Sequence, residues 1–212
     1  MTASRPPLPT GPRDKGDAWV YGPDGEKYWG RYGAAGLLVW HRQHGVLLQH
    51  RVGWSHFGNT WGLPGGALKE GETAEKGALR EAHEEAGVPA AQLRVIATSV
   101  LDLAFWRYTT VVVEALEYFE PVMGDAESEA LEWVPVNSVE NFPLHPGFGR
   151  AWPQLRSSLR YAIRVAFRGD MSRAVAQLGS APDWGSGGRR FKSCQPDHDK
   201  HETLSLGRAF RR

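Results

Sequence analysis

Apolar and polar positions follow three different rhythms along this chain. Gly36-Leu-Leu-Val-Trp-His and Gly45-Val-Leu-Leu-Gln-His-Arg are short continuous apolar runs, the pattern of strands buried on both faces, and Arg42-Gln-His joins them. Gln92 to Leu101 and Tyr108 to Tyr118 predict a second pair of strands around the turn Asp102–Arg107, the later one rich in Val and Thr. From Thr73 to Ala86 the rhythm becomes helical. Ala, Leu, Glu, Lys and Arg dominate, Thr73 is a usable N-cap, and Gly87 followed by Pro89 is a usable stop. Leu155, Leu159, Ile163 and Phe167 repeat at i,i+4 and predict another helix over Gln154–Arg168, after a proline-containing loop from Asn141 to Trp152. Ala18–Tyr21 and Lys27–Tyr32 flank Pro23-Asp-Gly and predict a hairpin, its aromatics read as packing.

The first helix carries the candidate chemistry. At about 100° per residue, Glu81, Glu84 and Glu85 share roughly a third of its circumference, beside a small apolar side of Ala78, Leu79, Ala82 and Ala86. Like charges at this spacing destabilise a helix by a few tenths of a kcal/mol. A solvated acidic face is one reading of them. The other is a hard divalent cation, which reverses the sign: Mg²⁺, with Mn²⁺ as a substitute, binds carboxylate oxygens and shares its shell with substrate phosphates. Gly65 and Gly66 lie just ahead, and with no Cβ they let backbone and ligand approach closely.

The spacing separates the two readings. From Gly66 the chain reads G-x(5)-E-x(7)-R-E-U-x-E-E-x-G-U, with Gly66, Glu72, Arg80, Glu81, Ala82, Glu84, Glu85, Gly87 and Val88 in the fixed places. Single-residue matches of that number coincide by chance roughly once in 10⁸ to 10⁹ registers. This is the Nudix box, and the chain resembles the Nudix hydrolases from about Gly36 to Pro135. The resemblance implies an α/β fold, an α/β/α sandwich around a mixed sheet, and hydrolysis of a nucleoside diphosphate linked to a further group X. It implies that Glu81, Glu84 and Glu85 hold the metal, with one of them as base. Arg80 then orients them by ion pairing, and Glu72 supports. Family members often dimerise, so a homodimer is left open.

Other candidates each keep a plainer alternative. Arg51 meets a phosphate or forms a surface ion pair. Trp54, His56 and Phe57, in the loop 53–60, stack on a base or close the sheet edge. The family's substrate wall falls at Phe105, Trp106 and Arg107, where hairpin packing is the rival. Trp133-Val-Pro resembles the strand after the substrate loop, so Glu129 first and Glu127 second are candidates for a further carboxylate on metal or water. Arg156, Arg160, Arg164 and Arg168 form a stripe read as a solvated face rather than a site for an acidic partner.

Composition sets the rest. The chain has 212 residues with 41% hydrophobic content and nine Trp, enough for one domain, expected over 18–168 with its core at 36–136. No long apolar run or signal-peptide pattern is present, so a cytoplasmic protein without membrane contact is expected. Residues 1–17 read as a flexible leader. Cys194 is the single cysteine, which excludes an internal disulfide and argues against the related isopentenyl diphosphate isomerases. Residues 172–212 carry eight Lys+Arg against four Asp+Glu and read as a disordered basic tail. Their wording, Arg190-Phe-Lys-Ser above all, also reads as translation of an adjacent tRNA gene. Nucleic-acid binding by the tail is the weaker rival.

Branch signatures narrow X. Leu103 stands where the ADP-ribose branch usually has Pro, no Tyr closer than Tyr108 matches the diadenosine branch, and the coenzyme A and NADH motifs are absent. Nucleoside triphosphates, oxidised ones included, are left as the expected substrates, going to monophosphate and pyrophosphate. Hydrolysis of ADP-ribose, dinucleoside polyphosphates or another nucleotide derivative is the alternative, and a nucleotide-sensing module without turnover is the non-enzymatic one.

Overall fold

The structure is a computed structural model that describes residues 14–167. The expectations for residues 1–13, for Arg168 and for the tail with Cys194 lie outside the described residues. Chain order runs β1 (Trp19–Tyr21), β2 (Lys27–Trp29), β3 (Ala34–His41), β4 (Gly45–Arg51), β5 (Trp61–Gly62), β6 (Gly65–Ala67), α1 (Ala74–Ala86), β7 (Leu93–Asp102), β8 (Arg107–Ala115), β9 (Ser128–Val134) and α2 (Pro146–Phe167). No described helix is long and apolar enough to cross a membrane.

The fully buried β3 lies near the middle of a mixed sheet, ordered β5-β4-β3-β8-β7, with β6 also paired to β3 and β9 to β4. Among the described strands only β3 and β8 pair in parallel, from Ala34 opposite Tyr108 to His41 opposite Ala115. Alternation along β3 then divides the core. Leu37 and Val39 face Ala78, Ala82 and Ala86 of α1. Leu38 and Trp40 face the side where Phe148, Trp152, Leu155 and Leu159 of α2 pack. A helix on each face of one sheet is the expected α/β/α sandwich, and period-2 alternation on doubly buried strands is its cause.

The ends of α1 match the sequence. The Thr73 hydroxyl accepts the Lys76 N–H at 3.3 Å, and Gly87 closes the helix in the left-handed conformation at φ 66°. Small alanines on the packed side let the helix axis lie close to β3, which brings its glutamates over the strand ends.

Two boundaries differ from expectation. The second helix begins at Pro146, well before Gln154. Pro146 occupies the first helical position, where a missing N–H goes unused, and Phe148 and Trp152 extend the apolar stripe upstream. Pro153 sits inside the helix, and the burial of Trp152 and Leu155 beside it offsets the lost backbone bond. The domain also reaches back before Ala18. Arg31 N–H donates to Gly16 O at 2.8 Å, and Gly16 packs so tightly on the Leu68 carbonyl that a Cβ would lie 2.2 Å from it.

Candidate active site

The glycine turn is shaped by the helix that follows it. A Cβ on Gly66 would stand 2.7 Å from the Glu81 carboxyl carbon, so a side chain there would displace that carboxylate from its place beside the turn. The Gly65 N–H donates to Glu85 Oε2 at 2.8 Å. Backbone and carboxylates therefore interlock before any ligand arrives.

Arg80 ties the helix to the loop ahead of it. Its guanidinium grips both oxygens of Glu72 at 2.9 Å, Glu81 Oε1 at 2.6 Å, Glu84 Oε2 at 3.2 Å and the Ala67 carbonyl at 3.1 Å. Such a planar fork fixes several carboxylates at once. It also holds the Glu72 carboxyl below its ordinary range, helped by the Lys69 N–H.

The other carboxyls move the opposite way. Burial raises the Glu85 pKa well above the usual range, and the charges of Glu81 and Asp125 add to this against the Gly65 N–H. Burial likewise raises Glu81, although Arg80 opposes it. Glu84 differs in kind: its side chain is 54% exposed.

One cleft of ≈ 1830 Å³ collects Gly65, Gly66, Arg80, Glu81, Glu84 and Glu85 together with Arg51, Trp54, His56, Phe57, Phe105, Trp106 and Glu127. Among the carboxylates beyond the box, the order expected from sequence is reversed. Glu129 pairs with His50 Nδ1 at 3.1 Å and does not line the cleft. Glu127 does line it, and burial raises its carboxyl, as does Asp125. The reason lies where β9 begins: Glu127 precedes the strand, beside the register irregularity at His50/Arg51, its carbonyl accepts the Val52 N–H at 2.9 Å, and the chain before it turns toward α1, where Gly124 N–H donates to Glu85 O at 3.1 Å.

Arg51 joins the cleft rather than a surface pair. Among the described residues its buried Nε has no hydrogen-bond partner. Its charge pulls the Glu85 and Glu127 carboxyls down, and His56, already lowered by burial, further down. Arg107 is the exception within the expected wall: it pairs with Asp102 across the hairpin at 2.8 Å and does not line the cleft.

Several cleft residues were not singled out from sequence. Asp125 receives the Glu127 N–H at 3.0 Å and the Ser128 hydroxyl at 3.1 Å, and Ser128 is in turn held by buried Gln49 at 2.8 Å. Its signal was available in the acidic run Asp125-Ala-Glu127. Tyr108 had none: the parallel register with β3 turns it inward, where burial raises its hydroxyl pKa. His145 was hidden in the supposed loop. It stands before α2, its Nδ1 accepting the Gly147 N–H at 3.1 Å, and burial together with Arg51 lowers its pKa to about 4.

His145 gives a pH prediction. Its folded pKa lies below the unfolded one, so the unfolded state binds the extra proton and stability falls as pH drops from about 6.5 to about 4. The loss is on the order of 3 kcal/mol at full protonation. His145→Asn keeps an acceptor for Gly147 without titrating. Urea unfolding at pH 7 and pH 4.5 should show a smaller acid loss in the variant, and equal losses in both proteins would refute the assignment.

Among the described residues, no three His, Cys, Asp or Glu side chains form a ready ligand shell, because Arg80 and the Gly65 N–H hold the box carboxylates. The chemistry fits nonetheless: the donors are hard oxygens, and their mutual repulsion in a buried place is what a divalent cation relieves.

With this geometry in place, the chain is assigned to the Nudix family: the NUDIX domain profile matches residues 30–155. It is a Nudix pyrophosphohydrolase, in a family whose enzymes generally use divalent metal cations and act on small nucleotide substrates. A Mycobacterium tuberculosis protein provisionally named 8-oxo-dGTP diphosphatase 3 is 51% identical over 156 residues, covering 69% of this chain and 71% of its own length. A Bifidobacterium longum nucleoside triphosphate pyrophosphatase/Nudix hydrolase fusion protein is 39% identical, over 68% of this chain and 32% of its own. The crystal structure of RenU, a Nudix hydrolase from M. smegmatis, superposes with a TM-score of 0.64 at 46% identity, covering 69% of this chain and 96% of that one.

Proposed function

We propose that this protein hydrolyses a nucleoside triphosphate, oxidised guanine nucleotides among them, to the monophosphate and pyrophosphate. One observation carries the reading. A single cleft joins the carboxylates Glu81, Glu84, Glu85 and Glu127 to the rings of Trp54, His56, Phe57 and Trp106, so a ligand with an anionic end and a planar end is accommodated along it. The name of the M. tuberculosis relative supports the same substrate class.

In this reading Glu81, Glu84, Glu85 and Glu127 would hold Mg²⁺, or Mn²⁺ in its place. When bound, the cation neutralises the polyphosphate and lowers the pKa of water. Arg80 and Glu72 keep the box glutamates aligned, and Arg51 faces the phosphates as a fixed cation. Water oxygen bonds to phosphorus, the anhydride P–O bond breaks, pyrophosphate leaves with the electron pair, and the proton passes to a glutamate carboxylate. Glu84, the most open of the three, is best placed to accept it.

Incubating the full chain with Mg²⁺ and a panel of nucleoside triphosphates, oxidised dGTP, ADP-ribose, dinucleoside polyphosphates and coenzyme A tests this. Monophosphate and pyrophosphate should appear from a triphosphate. Turnover confined to ADP-ribose or a dinucleotide would replace the reading.

A further inference from the structure

The β1–β2 hairpin lies ahead of the matched residues 30–155 and forms a two-stranded sheet of its own. Such a hairpin is marginal in isolation. Here both sides of the cleft hold it. The Trp106 indole N–H donates to the carbonyls of Trp29 and Gly30 at 3.2 and 3.1 Å, and the Tyr28 ring lies 4.8 Å from Trp106 and 5.5 Å from Phe105. On the opposite side, Trp19 meets His56 at 5.1 Å. The hairpin therefore bridges the 102–107 turn and the 53–60 loop.

Packing alone leaves two features without a role. Trp19, Trp54, Phe57 and Phe105 all line the cleft, yet they stay between 38% and 50% exposed. Grouped open rings mark a binding surface. Trp19 itself is held edge-to-face by Trp29 and His56, at ring angles of 68° and 74°, a favourable packing geometry that fixes its ring. Phe57 and Ala104 adopt positive φ, 56° and 66°, in the two loops that the hairpin bridges. A bulky residue held there is strained, and such strain gathers at ligand sites.

We propose that Trp19 of the hairpin, facing the Phe57 loop, forms the slot for the planar base of the substrate and so sets which nucleotide is turned over. The proposal rests on the nucleotide hydrolysis argued above: with the base in this slot, the phosphates extend toward Glu81, Glu84 and Glu85 in the same cleft. Stacking tolerates differences in base edge but gains with ring area, so two-ring bases are favoured over one-ring bases.

In the full chain, Trp19→Ala should raise KM for a purine nucleoside triphosphate about tenfold and leave kcat within about twofold, since a stack lost in ground and transition state alike weakens binding alone. Trp19→Phe should recover most of the loss. An unchanged KM in a Trp19→Ala protein with parental Tm overturns the slot. Hydrogen exchange on the parent protein decides independently of any variant. A purine nucleoside monophosphate should slow exchange in residues 19–29 while inorganic pyrophosphate does not, and equal protection by both, or by neither, rejects the proposal. If no triphosphate turns over, the hydrolysis reading fails by itself, and the exchange result still decides the slot.

Discussion

Replacing Glu84 by Gln leaves the fold intact and removes most turnover, lowering kcat by about 10²- to 10⁴-fold, the range for a positioned proton acceptor. The side chain is 54% exposed and makes a single 3.2 Å bond to Arg80, so Gln keeps its shape and its contact. Stability should then stay within about 0.5 kcal/mol. Glu85→Gln makes the informative contrast. That carboxyl is buried, its pKa is raised by desolvation and by neighbouring Glu81 and Asp125, and Gly65 N–H needs only an acceptor, which Gln supplies. A carboxyl whose folded pKa is raised contributes stability at low pH and loses it as pH rises through that value. Glu85→Gln should therefore lose turnover yet raise Tm at pH 8 in the absence of divalent metal. Activity assays beside thermal melts in EDTA check both. Wild-type turnover in Glu84→Gln, or a lower Tm in Glu85→Gln, would remove these roles.

Arg80→Ala acts on the other side of the same balance and should cost about 3–5 kcal/mol, the penalty for stranding partners of a part-buried ion pair. Arg80, Glu72 and Glu81 side chains are 19%, 13% and 17% exposed, so water replaces little of what the guanidinium gives. Lys at this position cannot reproduce the two-pronged grip on Glu72 and recovers only part. Glu72 has its folded pKa lowered chiefly by Arg80, so its contribution is present above the unfolded value and lost as pH falls below it. Urea unfolding should show the Arg80→Ala deficit largest near neutrality and shrinking in acid. A deficit under about 1 kcal/mol at pH 7 would mean that the cluster is solvent-screened and structurally idle.

These two side chains also show what could be read in advance. The box spacing identified both, and helical periodicity put Glu81, Glu84 and Glu85 beside the apolar side of Ala78 and Ala82, and those alanines pack against β3. Near-neighbour geometry within a helix is fixed by 3.6 residues per turn, so it is legible without a structure. The same holds for the buried runs of β3 and β4, the hairpin at Pro23-Asp-Gly, and the sandwich implied by the family resemblance.

The placement of Glu127 over Glu129 was not legible in that way. Each residue fits an acidic turn before Trp133, and the choice falls to the register irregularity at His50/Arg51, where Glu127 runs ahead of β9 while Glu129 stays within it, paired with His50. Tyr108 enters the cleft only because β8 lies parallel to β3, and His145 only because the second helix starts at Pro146, earlier than its periodicity shows. The sequence by itself determined the carboxylate-bearing helix, its caps, the glycine turn and the paired strands, all set by contacts within a few residues. Tertiary structure alone decided which of Glu127 and Glu129 faces the cleft, that burial lowers the His145 pKa, and that the N-terminal hairpin bridges the two loops beside the site. Those outcomes depend on burial and on register between distant segments, which local pattern does not encode.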